Sequence, residues 1–141
     1  MSDPLYHREI LRLAADAHGA GHLAKPHQTG TAFNPTCGDR ATFEITTDKE
    51  GHIQTLAHET KACVLAQASA SILGRDAQNL SRANIAALRE AVSAMLKESA
   101  EAPDAPFADY LVFDGVMTYP NRHTCVLLPI DALLAAFDNH K

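Results

Sequence analysis

A short stretch of alternating residues is the feature that most restricts how this chain can fold. Ala41, Phe43 and Ile45 alternate with polar residues, and a second, less regular alternation follows at 53–57. A period of two is typical of a strand that is buried on one face. The segment 48–51 between them reads Asp-Lys-Glu-Gly, which is a turn signal. The pattern therefore predicts an antiparallel hairpin.

Much of the remaining chain has helical character, because its apolar residues recur at spacings of three and four. The predicted helices cover residues 4–18, 63–73, 82–99 and 121–138. Asp3 and Pro4 are predicted to begin the first helix, Gly74 to end the second and Ser81 to cap the third. Residues 107–117 are compatible with helix or loop, and residues 19–36, rich in Gly, His, Pro and Thr, are predicted to be a loop. Pro129 lies inside the last predicted helix, so we expect that helix to kink or to start anew there. The length of 141 residues predicts a single domain over 1–141.

Composition excludes several classes of function. The formal net charge is -5, Trp is absent, and Lys and Arg do not cluster. We therefore expect no nucleic-acid partner, since phosphate binding needs concentrated positive charge. No apolar run reaches the ~20 residues of a membrane span, and the N-terminal segment lacks the layout of a signal peptide, so a cytoplasmic protein without membrane contact is expected. The odd number of cysteines, three, argues against a disulfide framework.

These cysteines and one aspartate are the candidate functional residues. Cys37 and Asp39 belong to the segment Asn-Pro-Thr-Cys-Gly-Asp, whose Pro and Gly allow a thiol and a carboxylate to face one point. Cys63 and Cys125 are each predicted at the start of a helix, where the free N–H groups favour a thiolate. Together the four could form a tetrahedral metal site of three sulfurs and one oxygen. Their wide spacing leaves the alternative that each cysteine is an inert packing residue.

The segments around these residues resemble those of a known family. The chain contains, in this order, NPTCGDR at 34–40, KACVLAQASASIL at 61–73 and RHTCVLL at 122–128. Together these segments resemble those of the SufU/IscU iron–sulfur cluster assembly proteins, a family similar to the NifU N-terminal domain. LYHREIL at 5–11 is similar to the leading helix of that family, so the resemblance covers nearly the whole chain. It implies an α+β fold, a small antiparallel sheet of about three strands packed against a bundle of about five helices.

Within that family the chain looks closer to the SufU branch. It lacks the Leu-Pro-Pro-Val-Lys segment of the IscU branch, and Thr124 stands where that branch has the His before its third cysteine. The resemblance implies one Zn²⁺ on Cys37, Asp39, Cys63 and Cys125. It also implies that Cys37 accepts persulfide sulfur from a SufS-like cysteine desulfurase, for onward delivery to apo iron–sulfur proteins or a scaffold. In the IscU branch the acceptor is the third cysteine, and whether the chain is a zinc-dependent sulfurtransferase stays open.

Three alternatives use the same residues. The four ligands could hold a [2Fe–2S] cluster that the protein assembles and transfers. Cys37 could instead be a hydrolase nucleophile with His58 or His123 as its base, although a bystander role is expected for both histidines. A purely structural zinc site is the third. Arg40 and Arg122 could steady the carboxylate or a persulfide, or could be solvated surface residues.

Overall fold

A three-stranded antiparallel sheet with helices packed on one face makes up the protein, in a computed structural model that describes residues 8–35 and 38–139. The elements in chain order are α1 (Arg8–Asp16), β1 (Gln28–Asn34), β2 (Asp39–Thr47), β3 (Ile53–Lys61), α2 (Val64–Asp76), α3 (Arg82–Glu98), a 3-10 helix (Ala108–Thr118) and α4 (Pro120–Asp138). The strand order is β1–β2–β3. The predicted α+β fold with about three strands and about five helices is confirmed.

The hairpin predicted from the alternating residues is present as β2 and β3. Phe43 pairs with His58 and Ile45 with Leu56, and both Phe43 and Ile45 are fully buried. The turn between the strands is closed by a hydrogen bond from the N–H of Gly51 to the carbonyl of Asp48, at 3.0 Å. The alternation of apolar and polar residues therefore predicts correctly which face of β2 is buried.

The loop predicted for residues 19–36 is wrong in its second half, because β1 occupies Gln28–Asn34. Alternate positions of this strand face the core, yet they include Gln28 and Gly30 rather than large apolar residues. The approach of α4 leaves no room for a side chain at Gly30, where a Cβ atom would lie 2.1 Å from the backbone N of Ala136. The inward positions of β1 therefore carry no apolar pattern from which a strand could be predicted.

The later helices are present, with differences at their ends. Ser81 caps α3 as predicted, accepting a hydrogen bond from the N–H of Asn84 while the Asn84 side chain accepts one from Ser81. α2 continues past Gly74, where it was predicted to end, and a Cβ atom at Gly74 would lie 1.9 Å from the carbonyl oxygen of His18. α4 runs unbroken through Pro129, so it does not start anew there.

The first predicted helix is present as α1, and the ambiguous segment 107–117 is helical. α1 occupies Arg8–Asp16, and Asp3 and Pro4, predicted to begin this helix, lie outside the described residues. The ambiguous segment 107–117 corresponds to the 3-10 helix, whose buried residues Tyr110, Phe113 and Val116 face the core.

α4 lies at the centre of the core. It packs on β1 and β2 on one side and contacts α2, α3 and the 3-10 helix on the others. α4 therefore buries apolar residues on several of its own faces, as expected for a helix inside the core. Even so, no helix among the described residues combines the length and apolar character needed to span a bilayer.

We predict that Gly30→Ala lowers the free energy of unfolding by about 3 kcal/mol, because the new methyl group must push α4 away from the sheet. Urea unfolding followed by circular dichroism measures the change. Gly51→Ala is the control: an added Cβ there meets no atom within 4 Å, so only the positive φ of +83° is strained, at about 1 kcal/mol. Equal losses of unfolding free energy in both variants would show that the close packing of α4 on Gly30 does not cause the destabilisation.

Candidate metal centre

Asp39 opens β2 and points into the core. It pairs with Asn34 across the end of the β1–β2 hairpin, and it is buried at 7% exposure. Gly38, just before it, has a φ of +76°, a left-handed conformation that glycine adopts without strain. The N–H of Gly38 donates to the carbonyl of Asn34 at 2.8 Å, which closes the turn. These contacts direct the carboxylate inward at the end of the sheet.

Cys63 is the N-cap residue of α2, just after β3 ends, as the sequence predicts. Its backbone is extended (φ -65°, ψ 168°), and its carbonyl accepts the first helical hydrogen bond from the N–H of Gln67. The Gln67 side chain donates back to the carbonyl of Ala62 at 3.0 Å and so braces the junction between strand and helix. The thiol is half-buried. It lies where unpaired helix N–H groups stabilise negative charge.

Cys125 reaches the same point from the opposite side, on α4. Its predicted position at the helix start is wrong, because α4 begins at Pro120 and Cys125 lies in the second turn. The C-terminal end of α4 contacts the start of β1, where Gln28 Nε2 donates to the Phe137 carbonyl at 2.9 Å. The helix therefore runs antiparallel to β1 and places Cys125 beside the end of β1. Its sulfur lies 3.8 Å from Asp39 Oδ2, and the residue is 1% exposed.

The three side chains form one group of potential ligands. One ligand atom from each of Asp39, Cys63 and Cys125 lies within 4.8 Å of the others. In a tetrahedral zinc site, metal–sulfur bonds of about 2.3 Å separate neighbouring ligands by about 3.8 Å. Two thiols and a carboxylate at this separation therefore fit Zn²⁺ with small movements of the side chains. Cys37, the fourth predicted ligand, lies outside the described residues.

The two described thiols differ in acidity. The thiol of Cys125 donates a hydrogen bond to Cys63, which together with the N–H of Ala66 lowers the pKa of Cys63 to about 7, against the opposing effects of burial and Asp39. The same hydrogen bond, reinforced by burial, raises the pKa of Cys125. Without metal, Cys63 is therefore the thiolate of the pair and Cys125 holds the proton.

The two arginines considered from the sequence have different positions. Arg122 lies one helical turn before Cys125 and hydrogen bonds to its sulfur, which lowers the pKa of that thiol against the larger effect of Cys63. Arg40 instead points to the outer face of the sheet, with its guanidinium carbon 5.5 Å from the centre of the Phe33 ring. Successive residues of a strand face opposite sides, so Arg40 points away from Asp39.

The two histidines considered as bases are held by the backbone. His58 Nε2 lies 2.8 Å from the carbonyl of His18 and therefore donates to it, while Nδ1 lies 3.0 Å from Thr60 Oγ1. Burial lowers the pKa of His58, which keeps the ring neutral. His123 Nε2 donates to the carbonyl of Met117 at 3.1 Å. These hydrogen bonds hold the Nε2 atom of each ring on a backbone carbonyl.

A buried polar link lies behind the site and could not be predicted from the sequence. Ser69 Oγ donates to the carbonyl of Val126 at 2.7 Å and lies 2.9 Å from the hydroxyl of Tyr110. It thereby joins α2 to α4 next to Cys125. Neither partner is near Ser69 in sequence, so no local pattern indicates the link.

Comparisons with known proteins agree with this architecture. A family model described as "NifU-like N terminal domain" matches residues 5–126. The fold is similar to the N-terminal part of a nitrogen-fixing NifU-like protein from Brucella abortus, at 34% identity and a TM-score of 0.90, covering 96% of this chain and 94% of that one. No curated protein matches the sequence significantly.

Two further crystal structures share the fold at lower identity. One is a candidate iron–sulfur cluster assembly scaffold protein for the SUF system of the thermophile Fervidobacterium islandicum AW-1, at 22% identity and a TM-score of 0.85, covering 97% of this chain and 99% of that one. The other is a hypothetical protein at 24% identity and a TM-score of 0.77, covering 98% and 100%.

The difference in acidity between the thiols predicts their reactivity. In metal-free, reduced protein, alkylation of Cys63 by iodoacetamide should rise with pH around an apparent pKa of about 7, and Cys125 should react more slowly at every pH. Cys125→Ala should raise the pKa of Cys63, since it removes the hydrogen bond that lowers it most. Peptide mass spectrometry assigns each rate. Faster alkylation of Cys125 than of Cys63 would contradict this assignment.

Proposed function

This chain belongs to the family of NifU-like N-terminal domains, and we propose that it serves iron–sulfur cluster assembly as a zinc-binding acceptor of persulfide sulfur from a cysteine desulfurase. The observation that supports this proposal most is the convergence of Asp39, Cys63 and Cys125 within 4.8 Å of one another. They come from three separate elements. Cysteines that only fill space in the core are not expected to lie next to each other and next to a buried carboxylate.

In this proposal Zn²⁺ is held by Cys37, Asp39, Cys63 and Cys125. Cys37 is included because it stands two residues before Asp39 in the sequence, in the segment whose resemblance to the family implies it as a ligand. When bound, Zn²⁺ keeps the thiols deprotonated and protects them from oxidation. The domain 1–141 then acts as one unit around this site.

The sulfur transfer itself is a thiol–disulfide type of exchange. The thiolate of Cys37 attacks the outer sulfur of the persulfide on the desulfurase cysteine, a new S–S bond forms on Cys37, and the desulfurase cysteine leaves as a thiolate. No net oxidant is needed. Burial supports Cys37 over the third cysteine as acceptor, because Cys125 is 1% exposed and its pKa is raised.

Arg122 has a supporting role in this scheme. A persulfide is an anion at neutral pH, and the guanidinium that already hydrogen bonds to Cys125 lies at the same centre. A nearby fixed positive charge stabilises such an anion. Apo iron–sulfur proteins, or a separate scaffold, would receive the sulfur next.

We predict about one Zn²⁺ per chain in protein purified without added metal. Asp39→Ala and Cys63→Ser should each weaken zinc binding by about a hundredfold or more, because each removes a ligand. Elemental analysis and competition with a chromogenic chelator measure stoichiometry and affinity. Glu59→Gln is a suitable control, since it removes an exposed carboxylate of β3 that is outside the group of ligands.

A second experiment distinguishes a zinc site from an iron–sulfur cluster site. Anaerobic reconstitution with iron and sulfide should leave zinc-loaded protein colourless. A stable visible chromophore that is transferred to an apo-acceptor would instead favour assembly of a [2Fe–2S] cluster on the same residues. Protein that contains neither metal, with unchanged chelator titrations in both variants, would refute a metal site.

The acceptor is tested by persulfide mapping after incubation with a cysteine desulfurase and cysteine. Cys37→Ser should abolish persulfide formation, while Cys125→Ser should keep it on Cys37. Persulfide on the remaining cysteines of Cys37→Ser, at the wild-type level, would show that Cys37 is not the acceptor. Zinc content of each variant is measured in parallel, so that loss of metal and loss of the acceptor thiol are distinguished.

A further inference from the structure

A row of three exposed residues crosses the outer face of the sheet at its metal-centre end. Phe33 pairs with Arg40, and Arg40 pairs with Lys61, so the row contains one residue from each strand. Phe33 is 52% exposed and the Lys61 side chain is 73% exposed. We call these three residues the outer row. It adjoins the metal centre through the chain, because Arg40 follows Asp39 and Lys61 precedes Cys63 by two residues.

The outer row has an unusual composition for a solvated surface. A phenylalanine at half exposure is held beneath a guanidinium, 5.5 Å from ring centre to Arg40 carbon. Aromatic residues and arginine are enriched at protein–protein interfaces, where they form many of the energetic centres of binding. Since the stacked Arg40 limits the motion of the ring, less entropy is lost when a partner covers the pair.

The charge of the outer row is opposite to that of the whole chain. The formal net charge of the protein is -5, yet Arg40 and Lys61 are neighbours across two strands. The carboxylates farther along this face have their own contacts. Glu44 and Glu59 both lie near the imidazole of His22, at 3.6 and 3.5 Å, and Glu59 also lies 3.7 Å from Lys61. Arg40 and Lys61 therefore place two cations at the edge that borders the thiols, and Lys61 has the carboxylate of Glu59 beside it.

We propose that Phe33, Arg40 and Lys61 form the docking surface for the protein that delivers sulfur to this centre, and that the matching face of this protein is acidic with an apolar recess. This inference rests on the proposed function, because it presumes a protein donor. Charge complementarity is its basis: two adjacent cations attract carboxylates and steer the encounter, and Phe33 supplies the apolar anchor. Two cations are too few for a nucleic-acid backbone.

The test compares the rate of sulfur transfer from a cysteine desulfurase of the same organism with the rate from a small donor, cysteine persulfide. The small donor needs no docking, so the ratio of the two rates isolates the protein contact. The double variant Arg40→Glu/Lys61→Glu should lower this ratio about tenfold at low salt and flatten its dependence on salt. Phe33→Ser should weaken desulfurase binding about tenfold, mainly through faster dissociation.

Matched controls lie elsewhere on the surface. Lys49→Glu reverses an exposed charge in the β2–β3 turn at the opposite end of the sheet, and Leu111→Ser removes an apolar side chain of 56% exposure from the 3-10 helix. Neither control should change the ratio. Ratios within twofold of wild type for all outer-row variants, or equal losses in the controls, would overturn the proposal. Zinc content and circular dichroism verify that each variant is folded.

Two other results would also decide against this docking surface. A wild-type dimer in sedimentation velocity that Phe33→Ser converts to monomer would assign the outer row to a second copy of the chain. If wild-type protein accepts sulfur from cysteine persulfide but not from the desulfurase, the docking proposal fails and the donor named in the proposed function is wrong, although the acceptor thiol stands. If it accepts sulfur from neither, the proposed function itself fails.

Discussion

The close packing of α4 against β1 determines the geometry on which the rest of the structure depends. At Gly30 the backbone of the strand comes so near the helix that a Cβ atom would overlap Ala136. Because hydrogen bonds just beyond this contact also join the C-terminal end of α4 to the beginning of β1, that end of the helix is held in both distance and direction. Its second turn is consequently brought to the end of the sheet where Asp39 begins β2. A helix held farther out could not place a thiol against that carboxylate.

A second set of contacts holds α2 against the same helix. Ser69 bonds to the α4 backbone beside Cys125, and Tyr110 from the 3-10 helix adds its hydroxyl to the link. On the other side of α2, Ser71 accepts a hydrogen bond from the backbone of His18, near the close approach at Gly74. Small residues are required along α2 because neighbouring backbone approaches it on two sides. The helix is therefore fixed in position with Cys63 at its N-terminus, ready to meet the other ligands.

The electrostatics of the centre follow from these positions. A thiol at a helix N-terminus and a thiol buried in a helix interior differ in acidity, and each helps to maintain the protonation state of the other. A divalent cation would remove the difference, since every ligand then loses its proton. Near the centre, the inner and outer faces of the sheet carry opposite charges. Asp39 faces inward toward the thiols, whereas Arg40 faces outward beside Phe33, as the alternation of a strand requires.

Much of this protein could be predicted from local sequence. The alternation around Phe43 identified the hairpin, Ser81 identified the start of α3, and the segments around the cysteines identified the family, because each of these signals lies within a few neighbouring residues. Strand β1 could not be predicted, because its inward positions lack large apolar side chains. α4 packs so closely on the strand that only glycine fits at position 30. Only the tertiary structure decided that Asp39, Cys63 and Cys125 lie within 4.8 Å of one another, that Cys125 is buried in the second turn of α4, and that Arg40 and Arg122 lie in different places. Residues 86 positions apart, as Asp39 and Cys125 are, meet only through the packing of whole elements, and no local pattern encodes that distance.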